Sequence, residues 1–210
     1  MTTLPRHFVP DAPPVLPSAG RNVGKTGLRV FMGVVTALFS LLILAYAMRM
    51  REPDWMPVPH PVLLWWNTGA LALASLAMEL ARRADGRRTI WLLAGGALAT
   101  LFVFGQWTAW QQLSASGQGV AVNPSNSFLY VFTGLHAAHV IGGLIVWAVT
   151  VARLRSNAAF AQDRIQRAIA LCTTYWHFLL AVWLVLLAAM WWITPAFVTA
   201  ICGPLYGATP

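Results

Sequence analysis

The stretch SFLYVFTGLHAAHVIGGLIVW, residues Ser127 to Trp147, decides the fold. It contains no Asp, Glu, Lys or Arg, and about 20 mostly apolar residues are enough for one helix to cross a membrane. The stretch also carries two histidines, His136 and His139, whose spacing places them about 60° apart on one helical flank. Because an ionisable group inside a membrane span is a candidate functional group, this helix is the first place to look for function.

The composition of the whole chain is that of a membrane protein. Of its 210 residues, 58% are hydrophobic and only 10% are charged, whereas a soluble domain carries about 25% charge. The eleven tryptophans are typical of aromatic belts at membrane interfaces. The net charge of +8 comes from basic residues in the connections between apolar runs, so we expect no nucleic-acid partner.

Apolar runs before and after this stretch predict five transmembrane helices. A segment in lipid must satisfy its own backbone hydrogen bonds, so helices are the expected form. The predicted fold is an all-α integral membrane bundle over residues 28–194, with an irregular tail at 1–27 and a short tail at 195–210. The five helices are expected at about residues 28–47, 62–81, 90–113, 127–152 and 168–193.

The distribution of basic residues predicts the orientation of the bundle. All but two of the 14 Lys and Arg residues lie in the N-terminal region, the 82–88 connection and the 153–167 connection, which fall on one side of a five-helix bundle. Arg49 and Arg51 lie on the other side. Because cytoplasmic connections carry an excess of Lys and Arg, we expect a cytoplasmic N-terminus and a periplasmic C-terminus.

Three histidines in the last two helices allow several interpretations. His177 is expected at a depth similar to that of His136 and His139. Two of the three could ligate a haem or a metal, or the set could relay protons. Alternatively, neutral imidazoles could hydrogen-bond across helices or to a backbone carbonyl. We expect no carboxylate close to them. The residues alone leave these interpretations open, and a membrane haem b electron carrier is one functional candidate.

Glu79 is the only acidic residue inside an apolar run. It lies one helical turn before Arg82 and Arg83, which predicts an ion pair at the helix end. The functional alternatives are an entry group for protons and a contact with a lipid amine. Because no second carboxylate accompanies Glu79 within the apolar runs, we expect no proton pump in this chain alone.

The other polar residues of the helices have simpler expected roles. Asn67 and Gln106 are expected to hydrogen-bond between helices. The basic clusters at helix ends, including Arg153, are expected to bind phospholipid phosphates, because the Arg side chain offers a bidentate fork. CxxC and other zinc-binding spacings are absent from the sequence, so no zinc site of these types is predicted.

Two motifs resemble those of one known family. Residues 133–143, TGLHAAHVIGG, are similar to the pattern T-G-F-H-G-x-H-V-x-x-G, and Tyr175-Trp176-His177-Phe178 followed by Val182-Trp183-Leu184 is similar to Y-W-H-F-V-D-V-V-W-L. Residues 61–68 are similar to P-x-x-L-W-x-N-T. Both main patterns occur in subunit III of the haem-copper terminal oxidases, the cytochrome c oxidase subunit 3 family, and the resemblance extends over about residues 27–192.

The resemblance implies an accessory subunit without a catalytic centre of its own. Five helices correspond to the shorter bacterial form, packed beside subunit I in the inner membrane, with subunit II and small subunits as further partners. The family implies no haem or metal in this chain, since haem and copper belong to subunits I and II and cytochrome c acts on the complex. It implies bound phospholipid, stabilisation of subunit I and support of proton uptake. The residues expected to serve structure or lipid binding are His136, His139, His177, Tyr175, Trp176, Gln106, Asn67, Glu79, Arg82, Arg83 and Arg153.

The chain lacks four carboxylates that the family often has. Val35, Ala109 and Leu180 occupy three of these positions, and the Glu that precedes the Y-W-H-F motif is absent from residues 168–174. The resemblance therefore does not carry over a carboxylate-mediated role in proton uptake. A subunit of a quinol oxidase or of a nitric oxide reductase is the related alternative.

Overall fold

The computed structural model describes residues 20–57, 62–84, 86–155 and 162–203. Within these ranges the regular structure is entirely α-helical. Five long helices are followed by one short helix. They are α1 (Gly20–Arg49), α2 (Leu63–Arg83), α3 (Arg88–Ala115), α4 (Pro124–Arg155), α5 (Gln162–Trp192) and α6 (Pro195–Cys202).

Four of the helices are long and apolar enough to cross a membrane: residues Val23–Arg49 of α1, the whole of α3 and α4, and Arg164–Trp192 of α5. The fifth predicted span, α2, is not among them. It has 21 residues, and Asn67, Glu79 and its two terminal arginines make it the most polar of the long helices. The described ranges therefore hold an all-helical fold with four candidate spans, and the count of five stays a prediction.

Both ends of the bundle differ from the expected boundaries. The helix expected from Leu28 begins at Gly20, so residues 20–27 are helical although they were expected to be irregular. Arg21 and Lys25 do not interrupt this extension, because basic residues are good helix formers. Residues 1–19 and 204–210 of the two expected tails lie outside the described ranges.

The expected C-terminal tail begins with the short helix α6. Pro195 ends α5, as expected, but it also occupies the first turn of α6, where a missing N–H costs nothing. The Thr194 side chain accepts a hydrogen bond from Phe197 N at 3.2 Å and caps this helix. One proline thus separates two helices.

The core has two clusters of buried side chains that meet at α5. The larger cluster joins α2, α3, α4 and α5, and the smaller one joins α1, α3, α4, α5 and α6. In the apolar window of α5, 44% of the residues are buried inside the protein, compared with 17% in α1. The last long helix is therefore the central one, and α1 is peripheral.

Candidate functional site

His136 lies at the centre of the larger core cluster and is 0% exposed. Its ring packs against Trp183 of α5 and Phe102 of α3, with ring centroids 5.0 and 5.6 Å away. Neither ring nitrogen has a hydrogen-bond partner among the described residues. The expected interhelical hydrogen bond is therefore not found at His136, which instead contributes an aromatic surface between three helices.

His139 faces a different helix, although it is only three residues away. Its ring contacts Phe31 and Phe39 of α1, at centroid distances of 6.1 and 5.7 Å. Its Nδ1 lies 2.7 Å from the carbonyl oxygen of Leu135 in the preceding turn. The Tyr175 hydroxyl donates to the backbone oxygen of His139 at 3.1 Å, which ties α5 to α4. His139 thus makes the backbone-carbonyl contact that was one of its expected uses.

His177 belongs to a third group of residues, between α2 and α5. Its Nδ1 lies 2.5 Å from Ser75 Oγ, and its Nε2 lies 3.5 Å from Glu79 Oε2. Glu79 also pairs with Arg82 at 2.6 Å and with Arg83 at 2.5 Å, as the helical spacing predicted. With Nε2 protonated, the neutral ring would donate to Glu79 and accept from Ser75. These five residues form one polar group between α2 and α5: Ser75, Glu79, Arg82, Arg83 and His177.

The three histidines contact different neighbouring helices, four in all. His136 faces α3 and α5, His139 faces α1, and His177 faces α2. In the part of the chain that the structure describes, no three His, Cys, Asp or Glu residues are placed to hold a metal ion together. The expectation that no carboxylate lies near the histidines was wrong, because helix packing brings Glu79 to His177 across a gap of 98 positions in sequence.

Two of the buried amides, Asn67 and Gln106, pair with each other. Asn67 Nδ2 donates to Gln106 Oε1 at 3.3 Å, which links α2 to α3 and is the interhelical hydrogen bonding expected of each. Gly105 makes this pairing possible, because a Cβ atom there would overlap Asn67 Oδ1. Trp183 Nε1 donates to Thr68 Oγ1 at 2.9 Å and links α5 to α2 one residue further along. These bonds pair buried polar groups between helices and fix the register of α2 against α3 and α5.

Close helix contacts use different glycines from those in the histidine motif. Of the three glycines at 134, 142 and 143, only Gly143 approaches a neighbour tightly, with a Cβ position 3.1 Å from Tyr175 Cε1. The tightest approach involves Gly96 of α3, where a Cβ atom would overlap the indole ring of Trp147. The Trp147 Nε1 donates to the carbonyl of Leu92 at 2.8 Å. The sequence did not predict this contact, because the position of Gly96 in α3 does not indicate which residue of α4 packs against it.

The remaining candidate residues divide between the core and the surface. Trp176 is 0% exposed and lies in the core of α5. Arg153 is exposed in the last turn of α4, and Arg82 and Arg83 are exposed in the last turn of α2. Arg164 and Arg167 are exposed in the first turns of α5. The structure therefore places these basic side chains at helix ends, with their charges at the surface.

Comparison with known proteins identifies the family. The profile described as "Cytochrome c oxidase subunit III" matches residues 56–194, which include α2 to α5. The chain belongs to this family. A probable cytochrome c oxidase subunit 3 of Nocardia farcinica is 30% identical over 183 residues, which is 82% of this chain and 89% of the relative. The cytochrome c oxidase subunit 3 of Thermostichus vulcanus is 27% identical over 177 residues, 80% of this chain and 86% of the relative.

Membership in the subunit III family makes this chain an accessory subunit of a terminal oxidase. A third relative, from Mycobacterium tuberculosis, is a probable cytochrome c oxidase subunit 3 with 25% identity over 182 residues. The relatives align over most of their length, so the match is not confined to the two short motifs. The profile begins at residue 56, whereas the resemblance on motifs alone extended to about residue 27.

Two positions that lack a subunit III carboxylate are closed to solvent. Val35 is 3% exposed and lies between Phe31 and Phe39 on the face of α1 that contacts His139, while Ala109 is 0% exposed. A charged carboxylate at either position would need a partner to offset the loss of hydration. Leu180 is half-buried. Val35 and Ala109 need no such partner, so they suit these buried positions.

The hydrogen bond between Ser75 and His177 is expected to make a small, measurable contribution to the packing of α2 against α5. Buried hydrogen bonds in membrane proteins contribute about 0.6 kcal/mol on average. We therefore expect Ser75→Ala and His177→Ala to couple by about that amount in a double-mutant cycle of thermal stability. Strictly additive effects would contradict the contact. Thr174→Ala on the exposed face of α5 serves as the control.

Proposed function

We propose that the chain is the accessory, non-catalytic subunit III of a bacterial cytochrome c oxidase in the inner membrane. The family match over residues 56–194 carries this proposal. Subunit I would reduce oxygen to water with electrons from cytochrome c and pump protons, and this chain would stabilise it. The histidine positions support the proposal, because His136 and His139 pack against aromatic rings of neighbouring helices and His177 bonds to Ser75 of α2.

The proposed topology has five spans, with α2 as the fifth. At about 1.5 Å per residue, the 21 residues of α2 are long enough for a hydrocarbon core of about 30 Å. Its Leu73 and Leu76 are each 54% exposed, which supports a lipid-facing side. The N-terminus would be cytoplasmic and the C-terminus periplasmic, because the ends of α2 and α4 and the start of α5 carry the basic clusters.

We further propose that the subunit holds phospholipid. The exposed arginines at the cytoplasmic helix ends supply donors for phosphate oxygens. At the other end of the bundle, a groove of about 200 Å³ lies between α2 and α5. Its lining includes Leu64, Trp65, Leu187 and Trp192 and is mostly apolar, which suits an acyl chain. The arginines would bind headgroups in one leaflet, and the groove would hold acyl chains in the other leaflet.

Affinity purification of a tagged chain from its native membrane, followed by mass analysis, tests the proposed function. We expect subunits I and II to co-purify, together with haem and copper in amounts that match subunit I. A purified chain that carries haem without these subunits would support the haem b carrier instead. A nitric oxide reductase or quinol oxidase core in their place would support the related alternatives.

His136→Ala is expected to leave the haem spectrum of the complex unchanged while it loosens the packing of α4 and α5. Its ring fills the space between Phe102 and Trp183, so truncation leaves a cavity. The reduced-minus-oxidised spectrum and the retention of this chain during purification are the two measurements. His136→Phe keeps most of the aromatic volume and should retain the chain. Loss of a haem band in either variant would contradict an accessory role.

Removal of phospholipid is expected to release this chain from the complex or to shorten the period of sustained turnover. The physical reason is that lipid would bridge the subunit surface and its neighbours through the arginines and the α2–α5 groove. The measurement is subunit content and oxygen consumption after detergent exchange. Added phospholipid should restore both properties, and indifference to delipidation would refute lipid holding.

A further inference from the structure

The short helix α6 lies outside the part of the chain that the family profile matches. The match ends at residue 194, and α6 comprises residues Pro195–Cys202. Its sequence, PAFVTAIC, contains no charged residue. Eight residues span about 12 Å as a helix, far less than a membrane thickness, so α6 cannot be a further transmembrane helix. The family assignment therefore leaves its role unexplained.

Contacts at both ends and in the middle hold α6 against the outer end of the bundle. Thr194 caps its start through the hydrogen bond from Phe197 N. Val198, in its middle, is 5% exposed and packs in the core cluster that includes residues of α1. After its end, the Gly203 carbonyl accepts a hydrogen bond from Arg51 Nη2 at 3.0 Å. Arg51 belongs to the connection between α1 and α2, so α6 is fixed to two separate parts of the chain.

One face of α6 presents apolar side chains away from the protein. Phe197 is 49% exposed and Ile201 is 68% exposed, and residues four positions apart lie on the same face of a helix. Val198 points about 100° away from this face, into the core, while Thr199 lies about 200° away from it. The helix therefore has a core-facing side, an outward apolar side and a third side that carries a hydroxyl.

The outward side of α6 comes shortly after two exposed tryptophans in the chain. Trp191 and Trp192, at the end of α5, are 48% and 76% exposed and precede α6 by only a few residues. Tryptophans at the end of a spanning helix are typical of the membrane–water interface. Because α6 follows them directly, its apolar side chains lie next to the membrane boundary.

We propose that α6 is an interfacial helix whose Phe197 and Ile201 insert into the outer leaflet of the bilayer. Its occupant is lipid, because the outward side carries no charge that would recognise a polar partner and α6 begins three positions after the exposed Trp192 that ends α5. The Arg51 contact and the Thr194 cap hold the helix where it joins α5, close to the tryptophans. The inference rests on α5 crossing the membrane and, for the outer leaflet, on the proposed topology, and it does not depend on which oxidase contains the chain.

Spin labels on α6 in the intact complex, reconstituted in phosphatidylcholine vesicles, test the proposal. Phe197→Cys and Ile201→Cys carry the label, and Thr199→Cys is the matched control on another side of the helix. All three are made with Cys202→Ser, while Cys172 is 2% exposed and protected. Collision rates with dissolved oxygen and with a polar nickel chelate then give the depth of each label. We expect depths of about 5–10 Å at positions 197 and 201, and nickel access at position 199.

Each other outcome overturns the proposal. Nickel access at positions 197 and 201 equal to that at position 199 would place α6 in water. Shielding of positions 197 and 201 from both reagents would show a protein partner on this side. If a cysteine variant fails to assemble, the unmodified complex is photolabelled with a membrane-soluble diazirine and the labelled peptides are mapped. Label on α5 without label on α6 would refute insertion. Failure of the oxidase assignment would appear in the co-purifying subunits and leave these depths unchanged.

Discussion

Trp183→Ala is expected to cause the largest loss of stability of any single truncation in the bundle. Trp183 is 0% exposed, packs edge-on against Phe102 at 5.0 Å and stacks at an angle on His136. The substitution also removes the hydrogen bond to Thr68, so three helices lose contacts to α5 at one point. Truncation of a buried Trp costs about 3–5 kcal/mol in water-soluble cores. We expect about 3 kcal/mol here, because lipid removes part of the transfer term.

Labelling of Cys172 provides a direct measurement of this loss. The thiol is 2% exposed in the core of α5, so a thiol-reactive dye reaches it only when the bundle opens. The variants are made in a Cys202→Ser background, and the labelled gel band of this chain in the complex is the readout. The temperature at which half of Cys172 is labelled should fall strongly for Trp183→Ala. Trp192→Ala, at a residue 76% exposed, is the matched control and should change it little. Equal midpoints for the two variants would show that Trp183 does not support the core.

Gly96→Ala is expected to destabilise the contact between α3 and α4 by about 1–3 kcal/mol through overpacking. The new methyl group would overlap the Trp147 ring, which cannot move freely because its Nε1 is bonded to Leu92 O. Helix propensity opposes this effect, since Ala is favoured over Gly by up to about 1 kcal/mol. The steric term is larger, so the net effect should still be a loss of stability.

Gly142→Ala isolates the steric term. It makes the same chemical change in the middle of a long helix, at a position where a Cβ atom would meet nothing within 4 Å. We expect it to be neutral or slightly stabilising in the same Cys172 assay. Trp147→Leu combined with Gly96→Ala should recover part of the lost stability, because the ring that causes the overlap is gone. If Gly96→Ala and Gly142→Ala behave alike, the close approach of α3 to α4 does not constrain the fold.

The sequence predicted the helices well because lipid imposes one local rule, that a spanning backbone must be apolar and helical. The predicted Glu79 ion pair formed, because it depends on spacing within one helix. Asn67 and Gln106 also make the interhelical hydrogen bonding expected of each, although their pairing with each other was not predicted. The start of α1 was missed because residues 20–27 are helical but not apolar. Helix α6 was missed because eight residues carry too little periodicity to separate a helix from a tail.

The uses of the histidines could not be predicted from their spacing. His136 and His139 are three positions apart and share a motif, but the crossing of α4 with three neighbours directs one ring to Trp183 and the other to Phe39. The partner of His177 lies on α2. These contacts depend on which helices are adjacent, and chain order does not reveal that: α1 packs on α4 and α5, while α2 packs on α3 and α5.

The central position of α5 has a consequence for biosynthesis. Translation delivers α1 first and α5 last of the long helices, at about 5–20 residues per second. Until α5 emerges, α2 and α3 can form a hairpin, but both core clusters lack the buried residues that α5 contributes. The helices made earlier therefore stay in the bilayer incompletely packed until α5 has been synthesised. A message truncated before residue 162 would leave the earlier helices without the helix that joins both core clusters.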